Sequence, residues 1–285
     1  SVLYAQDKTL FSMVNSEQSG LDFNNALRDN ASENILLYSN FYGGAGVGVG
    51  DFNEDGLEDI FFAGNQVTDQ LYFNQGDFTF KNVSKAAGII QDSGWSTGVT
   101  VADINADGHL DIYVSRELFD NKESLRANLL YINDGKGKFT ESAANFGLND
   151  TERTRHASFL DYNKDGLLDL LLLTQPPNPG SYSAFFGTKL RQPKYHLKLF
   201  KNLGSNQFEE VSEQAGVNLT GYPNGVCIAD LNNDGWQDIY IANDFEAPDF
   251  MFINQKDGRF INEANERLGQ MSFYAMGVDI ADLDN

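Results

Sequence analysis

Four times the chain sets Asp, Asn and Asp at alternate positions, follows them with glycine, and adds another Asp three residues later. The copies are "DFNEDGLED" (51–59), "DINADGHLD" (103–111), "DYNKDGLLD" (161–169) and "DLNNDGWQD" (230–238). Carboxylates this close repel one another unless a cation lies among them. Side-chain oxygens at positions 1, 3 and 5, a backbone carbonyl at 7 and a carboxylate at 9 form an oxygen cage. Such a cage suits a hard cation with roughly six to eight oxygen ligands, calcium ahead of magnesium. The candidate ligands are Asp51, Asn53, Asp55, Leu57 and Asp59, then Asp103, Asn105, Asp107, His109 and Asp111. The third and fourth sets are Asp161, Asn163, Asp165, Leu167 and Asp169, and Asp230, Asn232, Asp234, Trp236 and Asp238. Leu57, His109, Leu167 and Trp236 enter only through their main-chain carbonyls. Asp282 and Asp284 begin a fifth copy, so the sequence predicts four complete Ca2+ sites and one begun. An Asp/Asn/Gly turn also forms without metal, but four repetitions of aligned carboxylates favour the cation. An EF-hand is excluded, because its bidentate Glu at position 12 is replaced by Phe62, Val114, Leu172 and Ile241.

The elements that position these loops recur with them. Loop starts are 52, 58, 69 and 52 residues apart, a period that marks a propeller or solenoid. An alternating strand, usually with glycine, precedes each loop ("GAGVGVGD", "STGVTVAD", "PNGVCIAD") and an apolar run follows it ("DIFFAG", "DIYVSR", "DLLLLT", "DIYIAN"). A third strand enters a glycine turn ("LYFNQGDF", "LLYINDGKGKF"), and a fourth follows, as in "FTFKNVSKAAGI". Four antiparallel strands per repeat make a propeller blade, so the predicted fold is an all-β propeller with four complete repeats and two partial ones. The expected divisions are a lead-in over 1–40, blades over 41–92, 93–149, 150–217 and 218–270, and a truncated start of another over 271–285. In the lead-in, Phe11, Val14 and Gly20 echo Phe80, Val83 and Gly88, which predicts the outer strand of a blade whose inner strands come from later sequence. The natural polypeptide is expected to continue beyond Asn285.

With the period, the hairpins and D-x-N-x-D-G-x-x-D in place, the chain resembles the FG-GAP/VCBS repeat family, which includes the calcium-binding propeller of integrin alpha subunits. "LYFNQGDFTFKNVSKAAGI" followed by "GWSTGVTVADINADGHLDIYV" looks like the bacterial members related to cartilage acidic protein that carry an ASPIC/UnbV domain. The resemblance implies a seven-bladed propeller in the full-length protein, with calcium on the four loops. It also implies secretion or display at the cell surface, as on a bacterial outer-membrane lipoprotein, with further domains in the same chain. No Gly-Ala-Pro string occurs, and integrin-like adhesion is not carried over.

Composition narrows the partners. The 285 residues carry 41 acidic and 20 basic side chains, a net charge of −21, which repels nucleic acid and anionic membrane. No apolar run reaches the ~20 residues of a membrane span. The lone Cys227 excludes an internal disulfide and reads as a buried thiol. The opening "SVLYAQ", with Ala5, reads as the tail of a cleaved signal peptide. The expected partner is a surface protein or a glycan. Candidate contacts stand where the chain enters each first strand, on the edge away from the Asp loops: Tyr42, Trp95, Arg155, His156, Tyr222 and Tyr274. Packing between blades is the competing reading of these rings. An insertion over 174–196, with Lys189, Arg191 and Lys194, forms a second candidate, a basic loop in an acidic chain. No nucleophile motif, zinc spacing or phosphate loop is present, so the chain reads as a non-enzymatic scaffold. A polysaccharide lyase using His156 and Arg155 is the alternative.

Overall fold

The structure, a computed structural model, describes residues 11–117, 125–176, 195–245, 247–272 and 274–281. Period-two apolar alternation broken by Gly, Asn and Asp turns resolves into four sheets, each an antiparallel meander of four strands. The first contains β1 (Val47–Gly50), β2 (Asp59–Phe62), β3 (Gln70–Asn74) and β4 (Phe80–Asn82). The second contains β5 (Ser96–Ala102), β6 (Asp111–Arg116), β7 (Leu129–Asn133) and β8 (Phe139–Glu141). The third contains β9 (Thr154–Leu160), β10 (Asp169–Thr174), β11 (Lys198–Asn202) and β12 (Phe208–Glu210). The fourth contains β13 (Pro223–Ala229), β14 (Asp238–Asn243), β15 (Phe250–Asn254) and β16 (Phe260–Asn262). These are propeller blades, and their first strands stand side by side in the order β1, β5, β9, β13.

The core lies between blades, which is why the second strand of each is apolar on both faces. Ile112 and Val114 turn toward Phe61 and Leu71 of the first blade, while Tyr113 between them packs with Leu170 and Leu172 of the third. Leu171 and Leu173 face the other way, onto Ile239, Ile241, Phe250 and Phe252. All of these side chains are buried. Truncating one, as in Leu171→Ala, removes contacts to two blades and costs about 2–5 kcal/mol.

The fourth strand is shorter than the sequence suggests. In place of a strand through "NVSKAAG", β4 ends at Asn82 and a single helical turn, α2 (Ser84–Ala87), follows. The Asn82 side chain accepts the Ser84 N–H at 3.1 Å, and Gly88 at φ +92° closes the turn. Equivalent turns are α3 (Ala143–Phe146), α4 (Ser212–Ala215) and α5 (Ala264–Arg267), and the lead-in contributes its own, α1 (Ser16–Ser19). Closing glycines dock on the next blade: a Cβ on Gly88 would lie 2.4 Å from the Phe139 carbonyl oxygen, and one on Gly20 would lie 2.3 Å from that of Phe80. The lead-in therefore covers the first blade as α2 covers the second. Its expected strand is absent from residues 11–15, where Phe11 is 90% exposed. Strand geometry needs ladder partners, and this segment pairs with no described strand.

The two edges of the array differ. On one, the Asp loops occupy 51–58, 103–110, 161–168 and 230–237, and the later hairpins occupy 75–79, 134–138, 203–207 and 255–259. Each set has one length throughout. On the other, the connections between second and third strands run over 63–69, 117–128, 175–197 and 244–249, no two alike.

Candidate functional site

Each Asp loop joins the first two strands of a blade, and all four adopt one conformation. The glycine at position 6 has φ between +84° and +92°, and position 4 is also left-handed, at +57° or +58°, in Glu54, Ala106, Lys164 and Asn233. Side chains hold this shape. The first Asp accepts the N–H groups of positions 5 and 6, the Asn accepts that of position 5, and the second Asp, at position 5, accepts that of position 7. The Asn amide donates to this second Asp. These bonds span 2.6–3.1 Å across the four loops.

The Asp at position 9 is wholly buried in every loop. Asp59 accepts the Phe52 N–H at 3.1 Å and the Asn74 N–H at 2.8 Å, so it ties the loop's start to the third strand. Asp111 and Asp238 repeat the pattern. Asp169 accepts from Asn202, but its Oδ2 is buried without a hydrogen-bond partner. Burial pushes Asp59 and Asp111 up to about 6 and Asp169 to about 7, against the pull of the donated N–H groups. The carboxylates at positions 5 and 1 push the same way.

By donor type these residues fit a hard divalent cation: each loop carries carboxylate, amide and carbonyl oxygens, the buried Oδ2 of Asp169 lacks a donor, and no soft ligand is present. Among the described residues no group of three or more His, Cys, Asp or Glu side chains is placed to hold a metal ion. His109 contributes its carbonyl position while its ring pairs with Glu54 of the neighbouring loop. Lys164 lies 4.7 Å from the Trp236 ring centroid and links the third loop to the fourth. Asp282 and Asp284 lie outside the described residues.

One recurrent residue escaped the sequence reading. Asn74, Asn133, Asn202 and Asn254 each end a third strand and bind three ways. Their N–H donates to the buried Asp, their Oδ1 caps the following hairpin, and their Nδ2 donates to the carbonyl at loop position 8. Asn133 and Asn254 also donate to the preceding blade, to Phe52 and Tyr162 carbonyls at 2.8 Å. The signal was present in "LYFN", "LYIN", "LFKN" and "MFIN".

The opposite edge separates the aromatic candidates. Trp95 is 2% exposed and packs on Tyr38 and Phe41, and Tyr222 is 3% exposed with its ring edge-on to Phe245. Tyr42 is 60% exposed and donates to Asp29 at 2.7 Å, and Tyr274 is 63% exposed. Arg155 reaches the Gly43 carbonyl at 3.4 Å, and half-buried His156 is depressed by burial and by Arg155. Lys189, Arg191, Lys194 and most of the insertion lie outside the described residues. Cys227 is half-buried rather than sealed, and its Sγ donates to the Val278 carbonyl. No helix among the described residues is long and apolar enough to cross a membrane.

Comparison with known proteins places this geometry. A model described as the FG-GAP-like repeat matches residues 34–114, 120–172, 190–241 and 230–285. Human cartilage acidic protein 1 is 26% identical over 219 residues, covering 76% of this chain and 30% of that protein. Its Xenopus tropicalis counterpart is 25% identical over 224 residues, covering 75% of this chain and 32% of that protein. The chain thus spans about a third of the length of these curated relatives. Among solved structures, an Agrocybe aegerita lectin that recognises non-reducing terminal N-acetylglucosamine aligns at 18% identity and TM-score 0.41, over 75% of this chain and 50% of the lectin. The V. cholerae biofilm matrix protein Bap1 aligns at 11% identity and TM-score 0.36, over 76% of this chain and 54% of that one.

Proposed function

Because the chain belongs to the FG-GAP-like repeat family, we propose that it is a calcium-stabilised extracellular scaffold that binds a glycan or a surface protein. The single observation that supports calcium is the fourfold identity of the loop geometry, which sets the carboxylates of positions 1 and 5 near enough to the buried Asp at position 9 to help raise its pKa. When bound, the ion supplies the positive charge that lets position 9 stay ionised. The chain's own residues fix the rest: the left-handed turn shapes the loop, and the third-strand Asn joins it to the sheet. At ~1 mM calcium and a Kd of ~0.1 mM, each loop gains about 1.4 kcal/mol. Four loops then supply about 6 kcal/mol, comparable with a domain's whole margin of stability.

Support for a binding role comes from the unequal connections, which vary on the edge away from the loops while the scaffold repeats. Each histidine among the described residues has a structural neighbour: His109 meets Glu54, His196 meets Glu210 at 3.1 Å, and His156 lies against Gly98. The test is thermal unfolding with and without chelator. Removing calcium should lower the melting temperature by roughly 10 °C, with recovery in calcium and little in magnesium. Asp55→Ala should lower bound calcium by one ion per chain and the calcium-saturated melting temperature by a few degrees. An unchanged melt in chelator overturns the calcium assignment.

A further inference from the structure

A cavity of about 440 Å³ opens on the edge away from the Asp loops. Its walls come from three places: Ala26, Arg28 and Glu33 of the lead-in, the 65–67 stretch of the first blade, and Ser93 with Trp95 from the inter-blade segment. The lead-in is laced onto the blade by amides. Asn25 and Asn65 exchange bonds of 2.7 and 3.0 Å, and Asn65 also donates to the Ser96 carbonyl at 2.9 Å. The Gln66 side chain accepts the Arg28 N–H at 2.6 Å and donates to Glu33 at 2.9 Å. These amides are engaged with one another and frame the cavity.

The groups left over are donors. Among the described residues no hydrogen bond or ion pair engages the exposed Ser93 hydroxyl, and Trp95 Nε1 is buried without a partner. Arg28 is exposed and bonds only through its main chain, so among the described arginines its guanidinium alone lacks a partner. Asp29 beside it is turned to the Tyr42 hydroxyl. In a chain of net charge −21 an unpaired guanidinium at a cavity is exceptional. Unpaired donors call for an acceptor-rich, anionic ligand. The volume selects its size, falling at the small-ligand end of the ~300–1,000 Å³ typical of binding pockets. A lone Asp or Glu side chain would leave most of that space to water. A carboxylate-bearing sugar ring presents one charge, hydroxyls on its rims and a small apolar face suited to Ala26 and Val67.

The geometry points to this cavity as a binding site for a uronic-acid unit of an acidic glycan, its carboxylate on Arg28 and a ring oxygen or hydroxyl on Ser93. The assignment rests on the binding-scaffold reading and is independent of the calcium assignment. The test is calorimetric titration at one fixed calcium concentration with trigalacturonate, neutral maltotriose and a triglutamate peptide. Trigalacturonate should bind the wild type, with Arg28→Ala weakening it at least ~tenfold, Arg28→Lys less, and Val67→Trp filling the space. Arg28 is exposed and makes no side-chain bonds, so its variants should melt with the wild type. Absence of trigalacturonate binding up to ~10 mM overturns the assignment, as does affinity indifferent to Arg28→Ala. Preferential capture of triglutamate overturns the sugar class. Maltotriose binding unaffected by Arg28 substitution keeps the scaffold reading and removes this site.

Discussion

Asp69 shows how a single side chain on the variable edge carries structure. Its Oδ1 accepts the Gly64 N–H at 2.8 Å, Ser96 donates to Oδ2 at 3.1 Å, and Arg116 stands 3.8 Å away. Asn128 and Asp249 do the same work in the second and fourth blades, accepting the N–H of Arg116 and Asn243. Burial pushes Asp69 up to about 6 from the ordinary 3.8, although Arg116 and the donated bonds pull it down. The folded state therefore holds this proton more tightly than the unfolded chain does. That contribution is complete below pH ~4 and fades as pH rises to about 6, by on the order of 3 kcal/mol. Asp69→Asn should remove this slope, so wild-type stability minus variant stability falls across that window in urea titrations at saturating calcium. Parallel curves would show that Asp69 keeps an ordinary pKa. Asp92, bonded twice to Arg116, is held below its usual range, so its stabilising contribution is lost only in stronger acid.

Single elements show what was legible in the sequence and what was not. The Asp loops and the strands beside them were plain, because a nine-residue pattern repeated four times fixes both register and turn. The helical turns were missed. "SKAA" is too short for periodicity to show, and only the closing glycine betrays it. The aromatic positions were ambiguous because recurrence serves packing and binding alike. Trp95 and Tyr222 turned inward onto local partners, Tyr38 with Phe41 and Phe245, which no spacing rule identifies. In the lead-in, the part that parallels the later repeats is α1 and Gly20 rather than a strand. Gly20 combines φ +74° with a 2.3 Å approach to the Phe80 carbonyl. Gly20→Ala should therefore destabilise by about 1–3 kcal/mol, read as a lower denaturation midpoint. An unaltered midpoint would mean that the lead-in does not dock in solution. The cavity framed by Arg28 depends on that docking, so the same variant should also weaken trigalacturonate binding.

Across the whole molecule, uniform and variable connections occupy different edges. Every connection on the Asp-loop edge keeps its length from blade to blade, while the opposite edge runs from the short 244–249 to the long 175–197. Extending a flexible connection costs little, since closure entropy grows only with the logarithm of length. Six Gly/Ser residues inserted within 244–249 should shift the melting temperature by less than ~2 °C. The same insertion within 255–259 breaks the Asn254 cap and should lower it by roughly 5 °C or more. Equal effects would show that the two edges are not mechanically distinct. This asymmetry has a consequence for ancestry. A gene segment encoding one repeat can be duplicated with its clasp complete, because neighbouring clasps share the same dimensions. The opposite edge then accumulates length changes without disturbing inheritance of the clasp, so new specificities can arise there while the chain's architecture is copied unchanged.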